Sequence, residues 1–283
     1  MGKVGIITDS IHGLPAELIQ KYGIRVASMG VNLNNKGYRD MIDIFPQELY
    51  QYLRGMSSPG TTSAATPGDF LKLYQSFPAD TDSLIYIGVS KVLTATFENA
   101  NQARQIFQET RPGVKIELID SKNCMGAMGF VVLEAARAAE AGRSFPEVMA
   151  VIQNMIPRVK YLSVLETLDY LARIGRMPKG AATPQTSNLR PLIGNVDNNG
   201  ALRNFPPVPA PQAVNRLVEL AATYIEPQKP VHAIIHFSDK LQEAEEVSKA
   251  LAAKFQCNEL YMSEYSPAAL CATGTMTGLA FYI

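Results

Sequence analysis

The stretch KVGIITDS, residues 3–10, indicates the fold class, because an apolar run of β-forming residues ends there in a small, hydroxyl-rich loop ahead of a helical pattern. The runs at 83–89 and 114–119 repeat this arrangement, and a fourth such loop, TTS at 61–63, follows a less strand-like approach. In an open parallel sheet such loops emerge at the carboxyl edge of the strands, where ligands bind. The sequence therefore predicts a crevice lined by serines and threonines.

Helical patterns follow these strands through the first half of the chain, as in an α/β layer with a parallel sheet. The predicted helices are 15–21, 47–54, 68–77, 96–109, 128–141 and 145–155. The last of them runs into Pro157, and a predicted strand follows at 160–164. We therefore expect an N-terminal domain, residues 1–157, with a Rossmann-like parallel sheet that carries the hydroxyl-rich loops.

The remaining residues, 158–283, are expected to form a C-terminal α/β domain with a mixed or largely antiparallel sheet. Its signals are a helix at 166–171, strands at 190–196 and 201–205, a helix at 213–224, a strand at 231–237, a helix at 241–255 and a strand from 259. The turn DNNG at 197–200 is a hairpin signal. Prolines between 206 and 211 predict a stiff connector, and 272–278 is interpreted as a flexible Gly/Thr loop before an apolar end.

The charge balance excludes two classes of partner. The 283 residues include twenty-six basic and twenty-six acidic ones, with no long run of either sign. Such a surface provides no electrostatic footprint for nucleic acid or an anionic membrane. No apolar stretch approaches the roughly 20 residues that a membrane span needs. We expect a cytoplasmic protein with no nucleic-acid partner and no stable membrane insertion.

Cysteines and histidines give no pattern that is typical of a structural metal or a disulfide framework. The three cysteines are odd in number and far apart, which argues against paired disulfides. His232 and His236 are four residues apart, a spacing that suits a metal on a helix. Their segment VHAIIHF, 231–237, is however typical of a strand. We therefore expect neither a metal nor another cofactor.

The hydroxyl-rich loops stand near predicted helix starts, where free backbone amides favour an anion such as a carboxylate or phosphate. Each hydroxyl also suits a simple helix N-cap. A Walker loop, a G-x-G-x-x-G after the first strand and a G-x-S-x-G elbow are absent from the sequence. A stand-alone acyl hydrolase or transferase that uses Ser10 or Ser63 with Asp9 remains an alternative, although His12 is poorly placed as a base because nucleophile, base and acid seldom share one loop.

Several motifs follow one another along the chain. They are GIITDS at 5–10 with Leu14-Pro15, YRD at 38–40, Thr62-Ser63, SKVLTAT at 90–96, Asp120-Ser121, LETLDYLARIGR at 165–176 and RPLI at 190–193. In this order and spacing they resemble the DegV family of bacterial lipid-binding proteins. The resemblance covers essentially the whole chain. It implies a two-domain α/β protein of the EDD fold with a lipid pocket at the domain interface.

The resemblance further implies a fatty-acid-binding protein that is not itself catalytic. A long-chain fatty acid would lie in an apolar tunnel with its carboxylate bound by Thr62 and Thr94. Secondary contacts to the head group or to a partner are expected from Ser63, Ser90, Thr96, Ser121 and Arg176. Several family members present the acid to a fatty acid kinase, so such a kinase is the expected protein partner.

The chain departs from the family pattern where that partnership would be expected to show. Ala64 follows Thr62-Ser63 where the family has Gln, and Ala95 replaces a Gly. The segment Cys271-Ala272 replaces a family histidine, and Pro209 replaces an arginine, whereas Arg176 is retained. A degenerate member that acts as an interaction protein is therefore a further alternative. Met125 and Met128 suit either the core or the tunnel wall.

Overall fold

A computed structural model of the protein describes residues 2–55, 60–176, 188–195, 197 and 199–283. The strands are β1 (Lys3–Asp9), β2 (Arg25–Ala27), β3 (Gly30–Leu33), β4 (Lys36–Arg39), β5 (Thr61–Ser63), β6 (Thr81–Gly88), β7 (Lys115–Asp120), β8 (Lys160–Leu165), β9 (Leu189–Asn195), β10 (Arg203–Pro209), β11 (Val231–Phe237), β12 (Cys257–Glu264) and β13 (Met276–Tyr282). The helices are α1 (Ala16–Lys21), α2 (Pro46–Gly55), α3 (Pro67–Gln75), α4 (Thr96–Thr110), α5 (Met125–Glu140), α6 (Phe145–Met155), α7 (Asp169–Arg173), α8 (Ala213–Ala222), α9 (Leu241–Lys254) and α10 (Pro267–Thr273).

Two larger sheets confirm the predicted fold class. In the described ranges, a parallel sheet has the order β2-β1-β6-β7. A mixed sheet has the order β10-β9-β8-β13-β11-β12, in which β11 and β12 are parallel and the other neighbours antiparallel. The mixed sheet begins at β8, close to the predicted domain boundary at residue 157, which itself stays a prediction.

A small antiparallel sheet of order β4-β3-β5 is absent from the sequence prediction. The segment Thr61–Ser63, expected as a loop, is strand β5 and pairs with β3. Three residues provide too little periodicity for a strand to be recognised, and the pairing partner lies about thirty residues earlier in the chain. Thr62 therefore lies in a hydrogen-bonded strand and not in a loop.

Two further expectations for the C-terminal half were wrong, and one predicted helix is present with shifted bounds. The proline-rich connector is largely strand β10, which lies at the edge of the mixed sheet, where a missing N–H costs no ladder bond. The expected flexible loop 272–278 belongs to the end of α10 and the start of β13. The helix expected at 166–171 is α7, Asp169–Arg173. Residue 198 of the predicted hairpin turn and the segment 177–187 lie outside the described residues.

Helix α5 lies between the two larger sheets and contacts β1 and β6 of one and β8 and β13 of the other. Nearly all of its residues are buried, among them Phe130, whose ring meets Tyr282 edge-on with centroids 4.9 Å apart. A helix that is apolar all round requires burial on every face. The helix begins at Met125, three residues before the predicted start.

Close approach at the start of α5 depends on Gly126. Its N–H donates to Nε2 of the buried His236 on β11 at 3.2 Å. A Cβ added at Gly126 would lie 2.3 Å from His236 Nε2 and 2.8 Å from the Ala280 Cβ on β13. The helix therefore sits closer to the mixed sheet than any residue with a side chain would permit.

The other end of α5 is held by ionic contacts. Arg137 forms an ion pair with Glu134 at 2.7 Å and a second with Glu259 on β12. His232 Nδ1 lies 2.6 Å from Glu259 Oε2, and Tyr261 donates to Oε1 of the same carboxylate at 2.8 Å. Burial raises the pKa of Glu259, but these hydrogen bonds outweigh that effect and hold it at about 2.

Gly126→Ala is expected to lower the free energy of unfolding by about 1–3 kcal/mol, because the new methyl group overpacks the contact with His236 and Ala280. Urea denaturation measures the change. Gly113→Ala is the matched control, since no atom lies within 4 Å of its added Cβ, and we expect a change between zero and a gain of about 1 kcal/mol. Equal stability of wild type and Gly126→Ala would contradict the close approach.

Candidate functional site

A cavity of about 360 Å³ lies where the parallel, mixed and small sheets meet. This volume is within the range of small-molecule sites. Its rim is formed by exposed or half-buried residues, which include Thr62, Thr94 and Arg176. Its floor is fully buried and mainly apolar. The floor residues are Val89, Cys124, Tyr161, Ile193, Ala269 and Met276.

The structure brings Thr62 and Thr94 to the same cavity from different elements. Thr62 is the central residue of β5, where Val31 of β3 is its partner in the ladder. Thr94 lies in the turn before α4, and its hydroxyl is 2.8 Å from the Thr96 hydroxyl. Both threonines are half-buried. Each hydroxyl is thus held at the boundary between solvent and the apolar floor.

Arg176 and Ser63 also line this cavity, and both are exposed. The Arg176 Nε donates to the Leu93 carbonyl at 2.8 Å, which ties the residue after α7 to the loop that carries Thr94. Its guanidinium is the cationic group at the described rim of the cavity. An anionic head group beside the two threonines would therefore meet a positive charge.

Three other predicted contacts are placed elsewhere. Ser90, Thr96 and Ser121 are fully buried and do not line the cavity in the described part of the chain. The Ser90 hydroxyl accepts from the Val92 N–H at 3.3 Å, and the Ser121 hydroxyl donates to the Asn123 carbonyl at 3.1 Å. Thr96 is bonded to Thr94 as described above. These side chains shape the loops, and Thr96 also positions Thr94.

The first hydroxyl-rich loop makes buried structural bonds. Asp9 accepts from the Val89 N–H at 2.9 Å and from the Tyr86 hydroxyl at 3.3 Å. Ser10 donates to Asp40 Oδ2 at 2.6 Å, and Asp40 Oδ1 accepts from the Ala268 N–H at 3.0 Å. Desolvation raises the pKa of Asp9 and of Asp40 to about 6. Asp40 thereby joins the end of β4 to the start of α10, a wall of the cavity.

The histidines have partners other than a metal or a serine. His12 Nδ1 accepts from the Leu14 N–H at 2.8 Å, His236 accepts from Gly126 and His232 contacts Glu259. Burial lowers the pKa of His12 to about 4 and that of His236 to about 3, so both are neutral at pH 7. Among the described residues, no cluster of three or more His, Cys, Asp and Glu side chains could hold a metal ion.

Within the described part of the chain, no helix combines the length and the apolar character needed to cross a membrane.

A comparison with known protein families finds a match over nearly the whole chain. A family model described as "Uncharacterised protein, DegV family" covers residues 3–283. The chain belongs to the DegV family. A DegV domain-containing protein from Caldanaerobacter subterraneus is 31% identical over 281 residues, which cover 98% of this chain and 96% of that protein. Another from Lactococcus lactis is 28% identical over 98% of this chain and 96% of that protein.

Solved DegV structures share the fold. A DegV family protein from Thermus thermophilus, for which fatty acid binding is described, superposes with a TM-score of 0.88 at 26% identity and covers 99% of each chain. DegV from Bacillus subtilis, described as a fatty acid binding protein, has a TM-score of 0.88 at 21% identity over 100% of each chain. The second likeness concerns the fold alone.

The departures from the DegV pattern fall at the cavity and on an edge strand. Ala64 and Ala95 both line the cavity rim. Cys271, near the expected position of a family histidine, is buried in α10, and burial raises the pKa of its thiol to about 12. Pro209, which stands for an arginine, is exposed at the end of β10. The cavity of this DegV protein is therefore less polar at its rim than the family motifs imply.

Most of the cavity wall was not found from the sequence of this DegV protein. The missed apolar residues include Met29, Leu171, Ile174, Ile193, Leu202 and Met276. They come from separate elements, and each resembles an ordinary core residue in its local pattern. The adaptable side chain of Met125 was the available signal, and it does line the cavity, whereas Met128 is fully buried core.

The raised pKa of Asp40 predicts a pH-dependent stability that Asp40→Asn should remove. Because the folded-state pKa of about 6 lies above the ordinary 3.8, the folded protein binds more protons between these values, and stability falls as pH rises through them. The Asn amide can accept from Ala268 and donate to Ser10 without carrying charge. We expect Asp40→Asn to gain about 1–1.5 kcal/mol relative to wild type between pH 5 and pH 7.5, measured by urea denaturation.

Asp43→Asn is the control for this series. The ion pair with Arg39 lowers the pKa of Asp43 to about 2, so this carboxylate stays ionised throughout the pH range. Its stability difference from wild type should not change between pH 5 and pH 7.5. A pH-independent difference for Asp40→Asn as well would contradict the assignment of a raised pKa to Asp40.

Proposed function

We propose that the protein binds a long-chain fatty acid in this cavity, with the carboxylate at Thr62 and Thr94 and the acyl chain over the apolar floor. The single observation that carries the proposal is the polarity gradient of the cavity. Hydroxyl side chains, which include Thr62, Ser63 and Thr94, and the Arg176 guanidinium stand at the rim, and buried, mainly apolar side chains form the interior. An amphiphile with one anionic end matches that gradient.

The floor supports an acyl tail rather than a polar ligand. Val89, Ile193 and Met276 are 1% exposed, and the Cys124 thiol is neutral because burial raises its pKa to about 12. The Tyr161 hydroxyl, the polar group of the floor, already shares a 2.7 Å hydrogen bond with Tyr265. Burial of each methylene contributes about 0.8 kcal/mol before ordering costs, so a chain of about sixteen carbons supplies most of the affinity.

The rim supports a carboxylate head group. Thr62 and Thr94 hydroxyls each offer one donor, and a hydrogen bond to a charged acceptor contributes about 1.5–3 kcal/mol. Arg176 adds a positive charge at the same rim, held by its bond to Leu93. The fatty acid binding described for the Thermus thermophilus relative, 26% identical over 99% of this chain, agrees with this ligand class.

The competing hydrolase or transferase has less support. Ser10 is buried and engaged with Asp40, and in the described part of the chain no histidine forms a hydrogen bond with Ser10 or Ser63. We propose a binding protein without its own catalytic step. Presentation of the acid to a partner kinase stays a prediction, and a kinase that depends on a histidine near Cys271 would find a buried thiol there.

Thr62→Val and Thr94→Val should each weaken palmitate binding by about 10- to 150-fold, because valine keeps the shape of the side chain and loses the donor. The double variant should retain little palmitate at micromolar concentration. Isothermal titration with delipidated protein measures the affinity, and native mass spectrometry of protein as purified shows any acid carried from the cell.

Thr110→Val is the matched control, since its hydroxyl donates to the Phe107 carbonyl in the last turn of α4, away from the cavity. Its affinity should equal that of wild type. Thermal unfolding of each variant separates lost binding from lost folding. A wild type that binds neither palmitate nor oleate would refute the proposed function, whereas tight binding by the double variant would refute only the assigned head-group site.

A further inference from the structure

A second cavity, of about 50 Å³, adjoins the first. The two share three lining residues, Ile11, Met125 and Ala269. The partition between them also includes a hydrogen-bonded pair, since Tyr161 lines the first cavity, Tyr265 lines the second, and their hydroxyls are 2.7 Å apart. Only side chains therefore separate the two spaces at this point.

The backbone beside the partition is closely packed at two glycines. A Cβ added at Gly13 would lie 2.6 Å from His236 Cε1, and one at Gly126 would lie 2.3 Å from Nε2 of the same ring. Packing this close fixes the start of α5 against β11. The parts of the partition that can move are therefore side chains, namely the three shared ones and the Tyr161–Tyr265 pair.

Of these, Met125 is the one able to change its shape. Alanine has no side-chain torsion, and the β-branched Ile11 is stiff at χ1, whereas methionine has three rotatable bonds and fills irregular space. Met125 also has a left-handed backbone, with φ of 49°, which directs its side chain differently from a residue in regular helix. Met125 is therefore the shared residue whose side chain can most readily change the partition.

The second cavity suits the methyl end of an acyl chain. Five of its six polar side chains are already engaged. Ser10 donates to Asp40, His12 accepts from Leu14, and Glu264 accepts from Tyr50 at 3.0 Å. Tyr265 is bonded to Tyr161, and Ser266 accepts from the Ala269 N–H. The rest of the wall contains Ser263 and the apolar side chains of Leu14 and Met41.

We propose that the second cavity is a continuation of the acyl site and that Met125 sets the maximum chain length by closing the route into it. This inference rests on the proposed function. Saturated acids whose methyl end fits in the first cavity bind with Met125 in place. Longer acids require its displacement, and they gain the second cavity when the side chain is removed.

The test uses an equimolar mixture of palmitic (C16) and icosanoic (C20) acids, incubated with delipidated protein and quantified after extraction. Each additional buried methylene is equivalent to about a fourfold gain in affinity, so Met125→Ala should raise the bound C20:C16 ratio at least about tenfold over wild type. Met125→Gly, which suits the left-handed backbone, serves as a second variant in case Met125→Ala is poorly folded.

Met29→Ala is the matched control. Met29 and Met125 are both 7% exposed and both line the first cavity, but Met29 does not line the second. The control removes the same atoms without joining the cavities, so its C20:C16 ratio should stay within about threefold of wild type, less than the gain from one additional buried methylene. A crystal structure of Met125→Ala with 20-bromoicosanoic acid should place the bromine between His12, Leu14 and Tyr265.

The outcomes separate the two proposals. A C20:C16 ratio that is unchanged in both Met125 variants, or raised equally in Met29→Ala, overturns the role of Met125 and leaves fatty acid binding intact. A bromine found inside the first cavity also overturns it. A wild type that extracts neither acid overturns the proposed function together with this inference.

Discussion

The burial of α5 between the two larger sheets is the constraint on which the rest of the structure depends. A helix with Gly126, Ala127 and other small residues at its start can approach a sheet more closely than ordinary packing permits, and here it does so toward β11 and β13. The parallel sheet covers the opposite side. The cavity lies beside the first turn of this helix. Its lining includes Met125 of α5, Val89 directly after β6 of the parallel sheet, and Tyr161, Ile193 and Met276 of the mixed sheet.

Buried polar bonds hold the walls around that cavity. Asp9 and Asp40 accept hydrogen bonds from three other segments of the chain, and no cation neutralises them in the described contacts. Desolvation disfavours the ionised form of both carboxylates and so raises their pKa values. The hydroxyl-rich loop at 8–10 thus serves to assemble the site, whereas the hydroxyls that face the cavity belong to β5 and to the turn before α4.

The sequence predicted the parts of the fold that depend on local patterns. They include long strands such as β6 and β11. They also include the helices α3 and α6, which the structure shows to begin with capping boxes at Thr66 and Ser144. The three-residue strand β5 was not predicted, because its partner β3 lies about thirty residues earlier in the chain. The predicted strand at 201–205 covers only the start of β10, because the prolines that follow argued against a strand. The same holds for the site. Thr62 and Thr94 came from the family motif, while the cavity floor emerges only when separate elements are packed together.

The position of β13 has a consequence for synthesis of the protein. In the mixed sheet, β8 and β11 do not touch each other, and β13 lies between them as the partner of both. Because β13 is translated after both neighbours, the sheet cannot close until nearly all 283 residues have left the ribosome. The parallel sheet has no such requirement, since its strands end by Asp120. The N-terminal half can therefore begin to fold during translation. The side of α5 that packs on β8 and β13 stays uncovered until those strands have been translated.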